Sequence, residues 1–301
     1  MKVLVTGASG TIGSALCAPL LNRGDEVVGL SRDPEKSRGR APGVTWHRWE
    51  PMLERPPAEA LDGVEAVVNL VGEKINQRWT EEAKRRIMES RRTATQNLVQ
   101  AIAGLERKPA TLISQSAVGY YGDRGDAELD ESAGPGDGFD SMVCREWEQA
   151  AREAEAIGLR LAIARSGQVL YAGGGLLGEL DTPFKLGVGG PLAGGKQYMS
   201  WIHLDDEIRL LLWALDNPEV SGAVNATAPE PATNREFSKA LGGALNRPAV
   251  LPVPGFVLDL KVGSEFAAAI KGGQRVVPRR ALDLGFEFRH PHLDEALGSI
   301  Y

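Results

Sequence analysis

Three glycines with fixed spacing stand where the chain could bind the phosphates of a dinucleotide. The segment Thr6-Gly-Ala-Ser-Gly-Thr-Ile-Gly13 follows a short apolar run and precedes a helical pattern. In such a loop the first glycine permits a tight turn, the second lets a pyrophosphate approach, and the third allows close packing of helix on strand. The start of the helix would offer N–H groups to the phosphates. The alternative interpretation is a glycine-rich turn that binds no ligand. The predicted contacts are Gly7, Gly10, Thr11, Ile12 and Gly13.

The end of the next strand indicates which nicotinamide cofactor is preferred. Sites that prefer NAD usually place an acidic side chain here, where it binds the ribose 2′-hydroxyl. This chain has Ser31 and Arg32 instead, and Asp33 comes one or two residues too late. Because a guanidinium suits a 2′-phosphate, we predict NADP(H), with Ser31 and Arg32 as contacts. A solvated arginine at the start of a loop is the alternative.

The elements around this loop predict an α/β fold. Strands are expected at 2–6, 27–30, 66–71, 111–114 and 159–163. Helices are expected between them, at about 12–23, 80–105 and 139–157. Strands that alternate with helices of this length form a parallel sheet, and the first unit is a βαβ crossover. We therefore expect a Rossmann-type, doubly wound parallel sheet.

The texture of the chain changes near residue 171, where glycine- and proline-rich loops begin. A helix near 205–215 and a strand near 223–226 are expected to return to the sheet. Further helices are expected at 233–245, 255–271 and 279–284, after a rigid connector at Pro252 and Pro254. We predict an NADP-binding domain of residues 1–170, with 206–228 returning to it. A smaller substrate-side subdomain is predicted from 171–205 and 229–301.

Composition narrows the classes of partner. The net charge is −6, with a pI near 5.4, which is a poor match for a phosphate backbone and argues against nucleic acid. Cys17 and Cys144 stand in unrelated contexts, so neither a metal site nor a disulfide framework is indicated. No apolar run reaches the length of about 18 residues that would span a membrane. We expect a cytoplasmic protein with no membrane partner that can form a homodimer.

Several longer segments carry a resemblance to a known family. They include Asn69-Leu-Val-Gly-Glu73, Ser114-Gln-Ser-Ala-Val-Gly-Tyr-Tyr-Gly122, Arg165-Ser-Gly-Gln-Val-Leu170, Ser200-Trp-Ile-His-Leu-Asp-Asp206 and Gly273-Gln-Arg-Val-Val-Pro-Arg279. Together with the glycine motif they resemble the extended short-chain dehydrogenase/reductase (SDR) superfamily. The similarity is greatest to an atypical, epimerase-like branch of largely unassigned substrate, the SDR39U1-like proteins, and it covers essentially the whole chain.

The resemblance implies further cofactor contacts. It places Leu70, Val71 and Gly72 beside the adenine–ribose half of the cofactor. Arg91 falls where related proteins carry an asparagine that faces the cofactor, which implies a cationic or polar contact. Gly167 and Val169 are implied as neighbours of the nicotinamide.

The same resemblance shows a departure at the catalytic positions. Active members generally use a serine or threonine, a tyrosine, and a lysine four residues after the tyrosine. Ser116 (or Ser114) supplies the serine, but the tyrosine and lysine positions fall at Asp140 and Cys144. Tyr120 and Tyr121 are the candidates for a replacement acid/base, against an alternative in which they pack structurally. The predicted catalytic residues are Ser116, Tyr120 and Tyr121.

The substrate-side candidates come from the later part of the chain. Lys185 could neutralise an anionic substrate or be a solvated loop residue, and His203 is expected to be structural rather than a general base. Asp205 is expected to cap the following helix, and its acidic neighbours do not have metal-ligand spacing. The predicted substrate-side residues are Lys185, Tyr198, His203 and Gln274.

Taken together, these patterns predict an NADP(H)-dependent oxidoreductase or epimerase-like enzyme that acts on a small molecule. In an epimerase the hydride would return to the substrate, whereas in a reductase the cofactor would be consumed. The alternative is a non-catalytic protein that binds NADP(H) and reports its state to a partner. The missing tyrosine–lysine pair favours that alternative, and the retained serine and paired tyrosines favour an enzyme.

Overall fold

A seven-stranded parallel sheet lies at the centre of the computed structural model, which describes residues 1–301. The strands are β1 (Lys2–Thr6), β2 (Glu26–Ser31), β3 (Thr45–Arg48), β4 (Ala66–Asn69), β5 (Thr111–Ala117), β6 (Glu128–Leu129), β7 (Arg160–Ser166), β8 (Gln168–Leu170), β9 (Tyr198–Met199), β10 (Trp201–His203), β11 (Gly222–Ala226), β12 (Ala232–Thr233) and β13 (Arg275–Val276). The helices are α1 (Thr11–Asn22), α2 (Pro34–Arg38), α3 (Ala58–Leu61), α4 (Glu81–Ala103), α5 (Phe139–Ala156), α6 (Gly175–Lys185), α7 (Leu204–Asp216), α8 (Asn234–Ala244), α9 (Gly255–Val262), α10 (Ser264–Lys271), α11 (Arg279–Asp283) and α12 (Leu293–Ile300). None of the helices combines the length and apolar character that crossing a bilayer requires.

The order of the strands creates the crevice that the site needs. It is β11-β7-β5-β4-β1-β2-β3, and every neighbouring pair is parallel. The order reverses between β1 and β4, where Thr6 pairs with Asn69. At such a reversal a crevice opens beyond the carboxyl ends of the strands, and the glycine-rich loop after β1 lies there. The predicted Rossmann-type α/β fold is confirmed.

The two faces of the sheet are covered by different helices, as the alternation of side chains requires. Val3 and Val5 of β1 belong to a core that includes apolar residues of α1 and α7. Leu4, which points to the opposite face, belongs to a core with α4 and α5. The apolar runs of the central strands therefore follow from burial on both faces.

The C-terminal part of the chain has a core of its own. Phe184 of α6, Trp201 of β10 and Phe237 of α8 pack together with Leu297 of α12. The segment predicted to return to the sheet does so, because β11 pairs with β7 at the sheet edge. The proposed division into two domains remains a prediction.

Three local expectations were wrong. The helix expected over 255–271 is two helices, because Gly263 between α9 and α10 adopts φ +86°, which a continuing α-helix cannot contain. The loop region after residue 171 contains α6, an 11-residue helix. The cap of α7 is His203 rather than Asp205, since His203 Nδ1 accepts the Asp205 N–H at 3.0 Å.

Close packing of α1 on β1 depends on Gly13. A Cβ built on Gly13 would lie 2.3 Å from the carbonyl oxygen of Gly7 and 2.7 Å from Cα of Ala8. Both are backbone atoms, so no side chain can move aside. The predicted reason for the third glycine of the motif therefore agrees with the packing.

Gly13→Ala is expected to lower the free energy of unfolding by about 3 kcal/mol, because the helix must shift to admit the methyl group. Urea denaturation followed by circular dichroism measures this. Gly39→Ala is the matched control, since Gly39 has φ −69° and nothing within 4 Å of its Cβ position. A midpoint for Gly13→Ala equal to that of Gly39→Ala would contradict the packing argument.

Candidate functional site

The loop between β1 and α1 is shaped to approach a ligand with its backbone. Gly7 adopts φ +65°, and a Cβ there would lie 2.8 Å from the carbonyl oxygen of Leu70, so the loop lies directly against the end of β4. Beneath it, Thr6 Oγ1 donates to Asn69 Oδ1 at 2.7 Å and accepts the Leu70 N–H at 3.0 Å. These buried bonds fix the loop and the β4 end relative to each other.

The N-terminus of α1 is open to an anion. Gly10 is its N-cap and supplies no side-chain cap, and the first turn carries no acidic residue. The backbone N–H groups of Thr11 and Ile12 have no backbone acceptor within the protein. Unsatisfied N–H groups and the helix dipole both favour a phosphate at this position. The predicted loop residues thus have the geometry that a dinucleotide pyrophosphate requires.

Two arginines lie near the glycine loop, one directly after β2 and one after α2. Arg32 is exposed and forms no ion pair, while Asp33 is used to cap α2 by accepting the Lys36 N–H. The Ser31 hydroxyl accepts the Asp33 N–H at 3.1 Å and bonds the Ser37 hydroxyl at 2.6 Å, so it shapes the turn. Sequence reasoning missed Arg40, whose Nη1 donates to the carbonyl oxygen of Ser9 at 3.0 Å. Its position across the glycine loop comes from the return of the chain after α2, which no local motif indicates.

Arg91 lies beside the end of β4. Its guanidinium carbon is 3.1 Å from the position that a Cβ on Gly72 would take. It is held over the Trp147 ring at 5.1 Å and donates to the carbonyl oxygen of Ile87, but it forms no salt bridge. Burial lowers the pKa of this guanidinium. Together with the exposed Gly72 and the half-buried Leu70 and Val71, this arrangement agrees with a cationic contact to a cofactor.

The predicted catalytic serine is held from inside the protein. The Ser116 hydroxyl donates to Glu148 Oε1 at 2.8 Å. Glu148 in turn accepts two bonds from Arg165, at 2.8 Å from Nε and 2.9 Å from Nη2. Burial disfavours the charge on Arg165, but Glu148 outweighs it and raises the arginine pKa. Because its proton is committed to Glu148, Ser116 can offer a substrate only an acceptor.

The two predicted tyrosines occupy different environments. Tyr121 is completely buried, donates to Asn225 Oδ1 at 2.7 Å and accepts from Arg165 Nη1 at 3.0 Å. Burial raises the pKa of Tyr121 to about 12, against the influence of Arg165. Tyr120 is half-buried, with its ring 3.5 Å from the Arg165 guanidinium carbon and no partner for its hydroxyl. The geometry favours a structural position for Tyr121 and leaves the Tyr120 hydroxyl free.

A large cavity opens at the N-terminal end of α5, and none of Ser116, Tyr120 and Tyr121 lines it. Its volume is about 1260 Å³, and its wall includes the start of α5, the start of α4 and α10. Asp140 lines it, at the position where the resemblance places a tyrosine, and burial raises the pKa of the Asp140 carboxyl while nearby backbone amides partly oppose this. Cys144 lies one turn after Asp140 in α5 and is buried. Burial raises the pKa of its thiol to about 12, so the thiol stays protonated. Gln274 lines the cavity as well.

The structure brings two of the four predicted substrate-side residues together. The Gln274 N–H donates to the Tyr198 carbonyl oxygen at 3.4 Å, so these two residues lie next to each other. His203 stacks on His290 at 3.9 Å, and burial together with His290 lowers its pKa. Lys185 lies on the surface at the end of α6, ion-paired with Asp181 at 2.8 Å, and does not line the cavity.

The strand passing the expected nicotinamide position is tightly packed. A Cβ on Gly167 would lie 2.5 Å from the carbonyl oxygen of Ser200, and Val169 of β8 pairs with Ile202 of β10.

Sequence reasoning missed Glu207 of α7, a buried acid that contacts Ser166 at the end of β7. Glu207 Oε1 accepts from Ser166 at 2.7 Å and from Gln115 at 3.2 Å. Burial raises the pKa of Glu207 to about 7, and its second oxygen has no partner.

Comparison with known sequences agrees with the resemblance. Residues 3–226 match the NAD dependent epimerase/dehydratase family, and residues 253–300 match a domain of unknown function, DUF1731. Human epimerase family protein SDR39U1 is 38% identical over 305 residues, covering 100% of this chain and 99% of that protein. Epimerase family protein MT2273 of Mycobacterium tuberculosis is 41% identical over 298 residues, covering 98% of this chain and 96% of that protein.

Solved structures show the same relationship. The crystal structure of human SDR39U1 with NADPH has a TM-score of 0.90 at 38% identity and covers 100% of this chain and 99% of that chain. UDP-glucuronic acid 4-epimerase from Bacillus cereus, in complex with UDP-glucuronic acid and NAD, has a TM-score of 0.80 at 19% identity and covers 100% of this chain and 98% of that chain. The second likeness concerns the fold alone. The predicted resemblance to the SDR39U1-like branch is confirmed.

Arg32→Ala and Arg40→Ala are each expected to weaken NADPH binding about tenfold or more and to leave NADH binding unchanged, because each removes a charged donor near the 2′-phosphate position. Fluorescence titration with both cofactors measures this. Arg38→Ala is the control, because Arg38 on the same turn is exposed and paired with Glu35. An unchanged preference for NADPH in either variant would remove that arginine from the site.

Glu207 predicts a specific pH dependence of stability. Its pKa is about 7 in the folded protein against 4.5 unfolded, so between these values only the folded state holds the proton. Its contribution to stability is therefore complete below pH 4.5 and declines by about 3 kcal/mol as the pH rises to 7. Urea denaturation of wild type and Glu207→Gln across this range should give a difference that changes with pH. Exposed Glu219→Gln should give a constant difference, and a constant difference for Glu207→Gln would refute the shifted pKa.

Proposed function

Because the chain belongs to the NAD dependent epimerase/dehydratase family, we propose that it is an NADP(H)-dependent oxidoreductase or epimerase-like enzyme acting on a small molecule. The open N-terminus of α1 beneath the glycine loop carries the cofactor part of this proposal. NADPH in the human relative supports it, because that protein matches this chain from end to end. When bound, this cofactor supplies a hydride.

Different residues of this chain would bind different parts of the cofactor. The amides of Thr11 and Ile12 would hold the pyrophosphate, and Arg32 and Arg40 would bind the 2′-phosphate. Leu70, Val71 and Gly72 would flank the adenine–ribose half, with Arg91 as a second cation beside them. Gly167 and Val169 would border the nicotinamide.

Proton transfer to or from the substrate is assigned to Tyr120. Of the three predicted catalytic residues, it has a hydroxyl that no other side chain holds. The Arg165 guanidinium lies 3.5 Å from the centre of the Tyr120 ring and holds the ring in place. Ser116 would accept a hydrogen bond from the substrate, because Glu148 takes its own proton.

One observation favours a second candidate, a non-catalytic NADP(H) sensor. The hydroxyls of Ser116 and Tyr121 are both bonded inside the protein, which is what a structural role would produce. A cavity of about 1260 Å³ at the start of α5, where Asp140 lies against Gly119, favours an enzyme, since a sensor needs no second pocket. We further propose a reducing compartment, such as the cytoplasm, because both cysteines are buried free thiols.

Nicotinamide fluorescence of protein loaded with one equivalent of NADPH, before and after addition of a deproteinised metabolite extract, tests the proposal. A protein-dependent loss of the signal is expected for a reductase, and Tyr120→Phe should slow it while Tyr121→Phe should not. A second sample loaded with NADP⁺ should gain the signal when an epimerase takes up a substrate hydride. No change in either sample would favour the sensor, and no NADPH binding would refute both candidates.

A further inference from the structure

The large cavity beside Asp140 has an unusual balance of charge. Five carboxylates and three cations line it, which leaves a net charge of −2 on the wall. The carboxylates are those of Glu81, Asp123, Asp137, Asp140 and Glu265, and the cations are Lys84, Arg85 and Arg124. A cavity built for a diphosphate would show the opposite balance, since phosphates are bound by arginine and lysine.

The three cations are already engaged within the protein. Lys84 bridges Glu81 at 2.6 Å and Glu265 at 3.1 Å, which joins α4 to α10. Arg85 pairs with Glu89 at 2.8 Å. Arg124 turns its Nε and Nη2 donors to the carbonyl oxygens of residues 121, 134 and 135. The charges of Lys84 and Arg85 are therefore already balanced by carboxylates of the protein.

Asp140 and Asp137 are free by comparison. Asp123 accepts the N–H groups of Gly125 and Gly273, but no cation and no side-chain donor pairs with Asp140 or Asp137. Asp140 is half-buried between Gly119 and Gly138, and burial raises its pKa although backbone amides at the start of α5 partly oppose this. A carboxylate in such a place gains from a ligand that brings a positive charge.

Part of the same wall is aromatic. Trp79 packs edge-on against Phe139 at 5.0 Å and tilted against Phe266 at 5.0 Å, and both Trp79 and Phe139 line the cavity. The ammonium of Lys84 already lies 6.0 Å from the centre of the Phe139 ring. Aromatic rings attract organic cations, and carboxylates in the same cavity favour the positive charge of an ammonium group.

We propose that the substrate of this cavity is an amine, bound as its ammonium ion by Asp140 in the cavity that Trp79 and Phe139 also line, rather than a nucleoside diphosphate sugar. This inference rests on the proposed function in that it assigns the substrate class of the same site. It concerns the chemistry of the ligand and leaves the direction of hydride transfer open.

Isothermal titration calorimetry of the NADPH-loaded protein with three probes tests the proposal. Phenethylamine and phenylacetate differ in the sign of their charge on the same aromatic scaffold, and UDP-glucuronic acid represents the nucleoside diphosphate sugars. Phenethylamine is expected to bind at least about tenfold more tightly than either anion. Asp140→Asn should abolish that preference, and Asp140→Glu should retain most of it.

Asp283→Asn is the matched control, because Asp283 is exposed, forms no ion pair and lies outside the cavity. It should bind phenethylamine as wild type does, and circular dichroism of all variants confirms that they are folded. The amine assignment is overturned if phenylacetate or UDP-glucuronic acid binds as tightly as phenethylamine. It is also overturned if Asp140→Asn keeps the preference, or if phenethylamine fails to bind at about 10 mM.

The two proposals can fail separately. NADPH binding is measured first by fluorescence, and its absence would refute the proposed function. The same three probes are then titrated into cofactor-free protein, where the charge preference of the cavity is still measurable. A preference for phenethylamine without NADPH binding would leave the amine site and remove the cofactor, whereas NADPH binding without the preference would do the reverse.

Discussion

The buried ion pair between Glu148 and Arg165 joins the elements around the cleft. Glu148 belongs to α5 and Arg165 to β7, and both side chains are almost completely excluded from solvent. Through this pair, Ser116 on β5 and Tyr121 after it are held in fixed positions. Removal of one partner would leave an uncompensated buried charge, which costs about 3–5 kcal/mol.

The network continues from Tyr121 into the C-terminal part of the chain. Asn225 on β11 accepts from Tyr121 and donates to the Val277 carbonyl oxygen at 3.0 Å. Glu131 accepts the N–H groups of Asn225 and Arg280. The sheet edge, the cleft and the segment before α11 therefore form one hydrogen-bonded unit. Tyr121 is buried inside this unit, because its hydroxyl is bonded to both Asn225 and Arg165.

The cleft separates charges of opposite sign. Around the glycine loop and the end of β4 it presents uncapped amides, Arg32, Arg40 and Arg91, which suit an anion. On the cavity side it presents the unpaired Asp137 and Asp140. The resemblance places a lysine at the position of Cys144 on α5. Burial keeps the Cys144 thiol neutral, and the guanidinium of Arg91, from α4, is the nearby cation instead.

Local sequence patterns were enough to predict the sheet, the glycine loop and the family. Strong apolar runs predicted the central strands, and glycine spacing predicted the loop, because Gly7 and Gly13 satisfy local constraints of backbone and packing. The quoted segments identified the branch. The resemblance also indicated Ser116, Tyr120 and Tyr121, which lie near one another because they stand at the end of one strand or directly after it.

The tertiary structure alone decided what those side chains can do. The hydroxyls of Ser116 and Tyr121 are taken by Glu148, Asn225 and Arg165, which are distant in sequence, and Arg40 reaches the glycine loop across 31 residues. Gly263 separates α9 from α10, although the periodic pattern predicted a single helix. Lys185 lies outside the cleft, at the end of α6, where it forms an ion pair with Asp181. Burial and hydrogen-bond partners arise from contacts between distant segments, and local sequence patterns do not encode which segments meet.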